Sequence, residues 1–574
     1  MFTSHCRLRL SSGVLSRKRR HSRRTHGQRC PLLYAHGTAA VPLLGQTIGA
    51  NLRATVERFP DREALVVRTQ NSRSTYRQLW QTVTDCARGL LALGVQAGDR
   101  VGIWAPNRSE WVVVQYATAR IGAILVNVNP AYQAPELEYA LNQAGVSVLL
   151  FARGFRQSDY VALLASVRPR CPALRQALLL ETEWATLFEH GRSVPLGALE
   201  EREATLQFDD PINIQYTSGT TGFPKGATLT HHNILNNAYS LALALGYTEQ
   251  DRVCVPVPFY HCFGMVMGNL ACTAVGACIV VPAEGFNALA VLEAVQAESC
   301  TSLYGVPTMF RAILEEPTFA EFDVSSLRTG VMAGAPCPIE LMREVVTRLH
   351  MPEVAIAYGM TETSPISTLS ARDDTLERRV GTVGRVLPHL EISIRAPGTT
   401  AVLRRGEAGE FCTRGYSVMR GYWCDETATT RSIDEAGWMH SGDLAVIDDE
   451  GYVRIVGRLK DMIIRGGENI YPAEVEAALH GHADVSEAQV IGVPSRKYGE
   501  EVMAWVRPRP GATLADTELT AFCKGRLAAF KVPRYWRFVE AFPMTVTGKV
   551  QKYRLREMAV ELLGRQGDAA VETA

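Results

Sequence analysis

The densest group of side chains able to do chemistry lies between Tyr216 and Gly226, reading Tyr-Thr-Ser-Gly-Thr-Thr-Gly-Phe-Pro-Lys-Gly. Gly219 and Gly222 let the backbone turn tightly beside an anion, Thr217, Ser218, Thr220 and Thr221 offer hydroxyl donors, and Lys225 adds a positive charge. Such a set suits a polyphosphate. It is not the Walker loop, because Pro224 precedes Lys225 and Gly226 follows it, where that pattern needs Gly and then Ser or Thr. Tyr358-Gly359-Met360-Thr361-Glu362-Thr363 brings together an aromatic face, a hydroxyl and a carboxylate. A carboxylate of this kind reaches a magnesium ion whose other ligands are phosphate oxygens and waters. Asp443, in Ser441-Gly442-Asp443, can accept from both hydroxyls of a ribose. His261 stands in Pro-Phe-Tyr-His-Cys-Phe-Gly, and Lys549 in Pro-Met-Thr-Val-Thr-Gly-Lys-Val. Taken singly, each has a bland reading: an ordinary loop, solvated turn carboxylates, a core histidine without metal-pair spacing, a surface lysine.

The elements around these residues alternate between helical periods and short β-branched runs, which argues for parallel α/β layers. Strands are expected over 64–68, 101–104 and 123–128, an amphipathic helix over 76–93, and a helix over 136–143. The run Ile212, Ile214, Tyr216 leads into the glycine-rich segment, a helix is expected after it, and Thr230 is a candidate N-cap. Tyr304 to Thr308 and Val331 to Pro336 are apolar strands ending in Gly/Pro turns, where open α/β sheets place ligands. Within the uncharged run 253–283, residues 263–282 reach membrane-span length, but Gly264, Gly268, Asn269, Thr273 and Gly276 interrupt them, so a buried helix and a strand over 277–281 are expected. The pattern changes at Gly457-Arg458-Leu459-Lys460-Asp461, and a second domain is expected to begin at Lys460. It opens with a strand, the turn Gly466-Gly467, and a helix started by Pro472.

The 574 residues carry 60 basic and 59 acidic side chains, so no global field favours nucleic acid or an anionic membrane. Thirteen cysteines, an odd number without a Cys-x-x-Cys pair, argue against a disulfide framework or structural zinc and for a reducing compartment. Residues 1–41 hold nine Arg and Lys and no acidic residue, the composition of a mitochondrial transit peptide. The eight lysines among 60 basic residues make an arginine bias from base composition an equal explanation. The compartment is therefore expected to be cytoplasmic, or the mitochondrial matrix if the leader is a targeting signal. The expected division is a basic leader at 1–41, a large domain at 42–459, a small domain at 460–560 and a tail at 561–574.

Thr-Ser-Gly-Thr-Thr-Gly-x-Pro-Lys-Gly resembles the signature of the adenylate-forming enzymes, which include acyl-CoA synthetases, luciferases and peptide-synthetase adenylation domains. The other motifs follow in that family's order across 43–560. Ile-Gln-Tyr-Thr-Ser-Gly-Thr-Thr-Gly, Tyr-His-Cys-Phe-Gly, Tyr-Gly-Val-Pro-Thr-Met-Phe and Asp-Met-Ile-Ile-Arg-Gly-Gly-Glu-Asn-Ile-Tyr-Pro are most similar to the medium-chain branch called acyl-CoA synthetase family member 2 and its bacterial relatives. The resemblance implies a large, multi-lobed N-terminal domain of layered α/β sheets and a small mobile C-terminal α+β domain. It implies ATP-dependent ligation of a fatty acid to CoA through an acyl-adenylate.

It further implies that Thr217, Ser218, Gly219, Thr220, Thr221, Gly222, Lys225, Gly334, Ala335, Pro336, Tyr358, Gly359, Thr361, Asp443, Arg458 and Lys549 contact ATP or AMP, and that Glu362 holds Mg2+. Thr217, His261, Glu362 and Lys549 are the implied catalytic residues, and Lys460 the hinge. Gly466, Gly467 and Glu468 would lie along the CoA path, and Phe259, His261, Val306, Val331 and Met332 around the acyl chain. The implied partners are small molecules, with no nucleic acid and no membrane span. Transfer to a carrier protein, luciferase chemistry and a silent nucleotide sensor are the other readings.

Overall fold

The computed structural model describes residues 32–217, 224–524, 526–544 and 550–564, with the backbone alone for Asn469. Among the described residues three large sheets build the large domain, beside the small hairpin Gly154–Phe155 with Ser158–Asp159. In the first, seven strands run in the order Gly421–Tyr422, Lys225–Thr230, Pro211–Thr217, Ile124–Asn127, Arg100–Trp104, Val146–Phe151 and Gln176–Leu179, the last five mutually parallel. The second has nine strands, with a parallel centre that includes Ser302–Gly305, Thr329–Ala333 and Glu353–Gly359. Helices between these two sheets bury their apolar faces in one continuous core. Local chemistry starts the helices: Thr75 caps Tyr76–Ala92 reciprocally with Gln78, and Thr230 caps His231–Ala244 reciprocally with Asn233.

The glycine-rich segment departs from expectation. No helix follows it directly; Lys225–Thr230 is a strand that pairs antiparallel with Pro211–Thr217, so the segment joins the arms of a hairpin. The six-residue strand is short and carries only Ala227 and Leu229 as inward apolar residues, too weak a signal beside the capped helix. The uncharged run forms Cys262–Gly264, a π-helical stretch Met265–Leu270 and Ala271–Val275 before the strand Cys278–Val281. Among the described residues no helix is long and apolar enough to cross a membrane.

The third sheet is antiparallel, ordered Tyr34–His36, Leu390–Arg395, Gly409–Gly415, Met439–Ile447 and Val453–Arg458. Its first strand lies inside the expected leader, so the boundary at 41 is corrected. Leu33 is 0% exposed, its N–H donates to the Leu403 carbonyl at 2.8 Å, and its carbonyl accepts from Ile394 N–H at 2.9 Å. Arginine-rich composition dominates that stretch and hides a three-residue edge strand. At the other end, the helix Lys552–Leu562 runs into the expected tail.

Beyond Lys460 the hairpin Ile463–Arg465 and Glu468–Ile470, the long strands Val485–Ser495 and Gly499–Pro508, and Tyr535–Phe538 make a separate sheet. Its apolar clusters draw on residues from Ile463 to Leu563, whereas the clusters of the large domain end at Val453 and Ile455. Pro472 opens the following helix at its first turn, as its fixed φ favours.

Candidate active site

Strand pairing sets Thr217 opposite Lys225 at the mouth of the hairpin. Thr217 Oγ1 donates to Glu362 Oε1 at 3.1 Å, and Tyr422 Oη donates to the same oxygen at 2.9 Å. Tyr422 arrives on the strand paired to the second arm of the hairpin, and Lys225 Nζ lies 5.0 Å from its ring centroid. Glu362 is only 5% exposed, so an anionic carboxylate here is held by neutral hydroxyls that do not cancel its charge. It sits on the short turn Thr361–Thr363, tied by its own carbonyl to Met419 N–H at 2.9 Å. Gly359 just before this turn is obligatory, since a Cβ there would collide with the Pro365 carbonyl oxygen.

A second carboxylate lies on the neighbouring sheet. Tyr358 Oη donates to Asp443 Oδ2 at 2.7 Å, and Arg458 Nε meets Asp443 Oδ1 at 3.0 Å. Burial, then the Asp443 charge, pushes the Tyr358 phenol well above its ordinary value, so it remains a donor. Among the described residues each oxygen of Asp443 meets one such partner, Tyr358 at Oδ2 and Arg458 at Oδ1, and a carboxylate oxygen has lone-pair capacity for another. Gly334, Ala335 and Pro336 are exposed at the carboxyl end of Thr329–Ala333. Gly334 has φ +89°, and a Cβ on it would lie 3.3 Å from Val306. The parallel strands ending at Gly305, Ala333 and Gly359 bring these turns and Tyr358 to one edge of the sheet.

Phe259 is buried with its ring centroid 5.7 Å from that of Trp111. His261 Nδ1 accepts from Phe263 N–H at 3.1 Å, which places the proton of the neutral ring on Nε2. Cys262 Sγ lies 3.0 Å from Gln215 Oε1, linking the His261 loop to the strand that ends at Thr217, and burial pushes its thiol up to about 12. Val331 and Met332 do not share a wall. Successive strand residues face opposite sides of the sheet: Val331 joins the core of Phe259 and Tyr304, while Met332 points into the cluster on the other face, 2.9 Å from Cys337 Sγ. Met332 is therefore removed from the expected acyl pocket.

Residues 52–423 match the family described as AMP-binding enzyme, and residues 474–549 match the AMP-binding enzyme C-terminal domain. The chain belongs to the AMP-binding enzymes. YngI of Bacillus subtilis, whose name assigns it to the acyl-CoA synthetases, is 47% identical to this AMP-binding enzyme over 540 residues, 91% of this chain and 98% of its own. The mitochondrial medium-chain acyl-CoA ligase ACSF2 of Danio rerio is 43% identical over 552 residues, 92% of this chain and 91% of its own. The crystal structure of the anthranilate CoA ligase AuaEII in complex with anthranoyl-AMP matches with a TM-score of 0.81 at 26% identity, covering 91% of this chain and 99% of that one. This AMP-binding enzyme is thus an AMP-forming acid–thiol ligase of the acyl-CoA synthetase family, with that family's large and small domains.

In the small domain of this AMP-binding enzyme, Gly466 and Gly467 form the hairpin turn before the exposed Glu468, with φ of +60° and +89°. Among the described residues, its chain neighbours aside, no heavy atom lies within 4 Å of a Cβ built on Gly467. Lys460 sits on the turn Leu459–Asp461. Ser218, Gly219, Thr220, Thr221, Gly222 and Lys549 lie outside the described residues. Sequence reasoning missed Tyr422 and Gln215. Both act through contacts dozens of positions away; Gln215 stands inside the Ile-Gln-Tyr-Thr-Ser-Gly run, but nothing there points to its contact with Cys262, and no motif contains Tyr422.

Proposed function

We propose that this enzyme activates a medium-chain fatty acid with ATP as its acyl-adenylate and then transfers the acyl group to CoA. The observation that carries the reading is the convergence of Thr217, from the phosphate hairpin, and Tyr422 on the buried Glu362 carboxylate. The name of ACSF2, 43% identical, supports the chain length, and the anthranoyl-AMP in the AuaEII complex supports the adenylate.

In the first half-reaction a carboxylate oxygen of the acid attacks the α-phosphorus of ATP, the bond to the β-phosphate breaks and pyrophosphate leaves. Thr217, Ser218, Thr220, Thr221 and the Gly219 and Gly222 backbone cradle the phosphates, with Lys225 as a fixed cation. Asp443 accepts the ribose hydroxyls beside Arg458, Tyr358 and Gly334-Ala335-Pro336 bracket the adenine, and Gly359 and Thr361 complete that wall. A buried carboxylate held by two neutral hydroxyls is a fitting oxygen ligand for a hard cation, so Glu362 is the residue that would hold Mg2+. Bound there, the ion would supply positive charge to the phosphate oxygens. Lys549 neutralises charge between the acid and the α-phosphate. Phe259, Val306 and Val331 enclose the chain, and His261 orients its carboxylate.

For the second half-reaction the small domain turns about Lys460 and brings Gly466, Gly467 and Glu468 to the site. The CoA thiol attacks the acyl carbon and AMP leaves. Pyrophosphate release across straight-chain acids of about four to sixteen carbons, with and without CoA, tests the proposal. A maximum at intermediate length with turnover requiring CoA is expected. Release independent of acid, or none from folded protein that binds ATP, would overturn it.

A further inference from the structure

The turn that presents Asp443 is a bulge in the third sheet. Glu410 pairs with Leu444 and Cys412 with His440, so Ser441, Gly442 and Asp443 together face the single residue Phe411. Gly442 takes φ +71°, a left-handed conformation that favours glycine. Bulges turn a side chain out of the ordinary alternation of a strand. Here the bulge aims Asp443 at Tyr358 and Arg458.

Glu410 clamps this bulge with both carboxylate oxygens. Its Oε1 accepts from Gly442 N–H at 3.1 Å and its Oε2 lies 2.8 Å from His440 Nδ1. The strand of Glu410 supplies a third tie, because Ser441 Oγ donates to the Phe411 carbonyl at 2.7 Å and accepts from Asp443 N–H at 3.0 Å. His440 is itself held on its far side by Asp434, 3.7 Å from Nε2, and Asp434 is fixed by Arg395 at 2.8 Å. Cys412 Sγ lies 3.5 Å from His440 Nδ1, and Glu410, Cys412 and His440 have the residue types of a metal triad. The contacts argue otherwise: Glu410 Oε1 is taken by the Gly442 amide, its Oε2 shares a hydrogen with His440, and burial pushes the Cys412 thiol up to about 12, keeping it protonated.

We infer that Glu410 and His440 are positioning residues for nucleotide binding: they lock the bulge that sets Asp443 in reach of the ribose. The inference rests on the reading of Asp443 as the ribose acceptor. It requires that loss of the clamp weaken recognition of the ribose hydroxyls specifically, with binding of the phosphates and the acid left in place.

The test compares KM for ATP and for 2′,3′-dideoxy-ATP, read by acid-dependent pyrophosphate release, in the wild type, Glu410→Ala and Glu410→Gln. The wild type is expected to prefer ATP by about tenfold or more, the worth of hydrogen bonds to a charged acceptor. Glu410→Ala should lose most of that preference through a higher KM for ATP, with kcat and the KM for the acid little changed. Glu410→Gln keeps the side-chain volume and an acceptor for Gly442, and should lose only about threefold of the preference. Thermal unfolding confirms that each variant is folded. If the wild type does not discriminate the two nucleotides, the ribose reading of Asp443 itself is wrong. If it does, but both variants keep the full preference, or lose activity equally with both nucleotides, the positioning role is overturned. Stoichiometric zinc in the purified wild-type enzyme, lost in Glu410→Ala, would overturn it in favour of a metal site.

Discussion

Thr217 and Glu362 are 145 positions apart in the chain and one hydrogen bond apart in space, Oγ1 to Oε1 at 3.1 Å. That contact joins the end of the strand Pro211–Thr217 in the seven-stranded sheet to the turn between the strands Glu353–Gly359 and Ile366–Leu369 of the nine-stranded one. It makes Glu362 the most exacting position to alter. Glu362→Gln should lower acid-dependent pyrophosphate release by about a hundredfold or more, the usual effect of removing a preorganised charge partner. Thr217→Val should cost about tenfold. Release measured at saturating Mg-ATP checks both, and a Glu362→Gln enzyme within a few-fold of wild type would remove this residue from the mechanism.

The two half-reactions should separate by mutation. Lys549→Ala is expected to abolish pyrophosphate release while leaving thioester formation from supplied acyl-adenylate largely intact. Gly467→Leu should do the reverse, because φ +89° strains a leucine and its side chain would enter space that is open around the glycine. Equal loss of both half-reactions in both variants would contradict the hinge model.

Leu33 offers a test of where the fold begins. It is fully buried against Ile392, Ile394 and Phe411 in the third sheet. Leu33→Ala should destabilise the large domain by about 2–4 kcal/mol, visible as a lower unfolding midpoint in urea. An unchanged midpoint would show that the strand Tyr34–His36 contributes nothing to stability in solution.

The pH dependence of stability should carry the signature of His440. Its hydrogen bond to Glu410, aided by the charges of Glu410 and Asp434 and opposed by burial and Arg395, raises its pKa above the ordinary 6.5. A raised folded-state value means that this contribution is fully present below about 6.5 and is lost as pH rises through the folded value. His440→Gln should therefore flatten the fall in melting temperature between neutral and mildly alkaline pH. A wild-type slope retained in the variant would assign it to another group.

Elements with local signals were legible from residue order alone. The Tyr76–Ala92 helix has its Thr75/Gln78 capping box, His231–Ala244 its Thr230 cap, and Pro472 its place at the start of a helix. Elements decided by distant partners were not. Lys225–Thr230 is a strand because Pro211–Thr217 and Gly421–Tyr422 flank it, and Tyr34–His36 is one because Leu390–Arg395 offers an edge. The same division runs through the site. Glu362 and Asp443 stand in motifs, but Tyr422 and Glu410, which hold them or their turns, stand in none. Met332 was misplaced because a motif names adjacent residues together, whereas the pleat sends them to opposite faces.

The strand Tyr34–His36 also orders events during synthesis. Tyr34 is bonded to Glu391, 357 positions later, so at ribosomal speeds its partner emerges roughly 20 to 70 seconds after it. Over that interval the first strand has no edge to join. Conversely, any proteolytic maturation that cut downstream of Tyr34 would bare the Leu390–Arg395 edge and open a seam for unwanted strand addition.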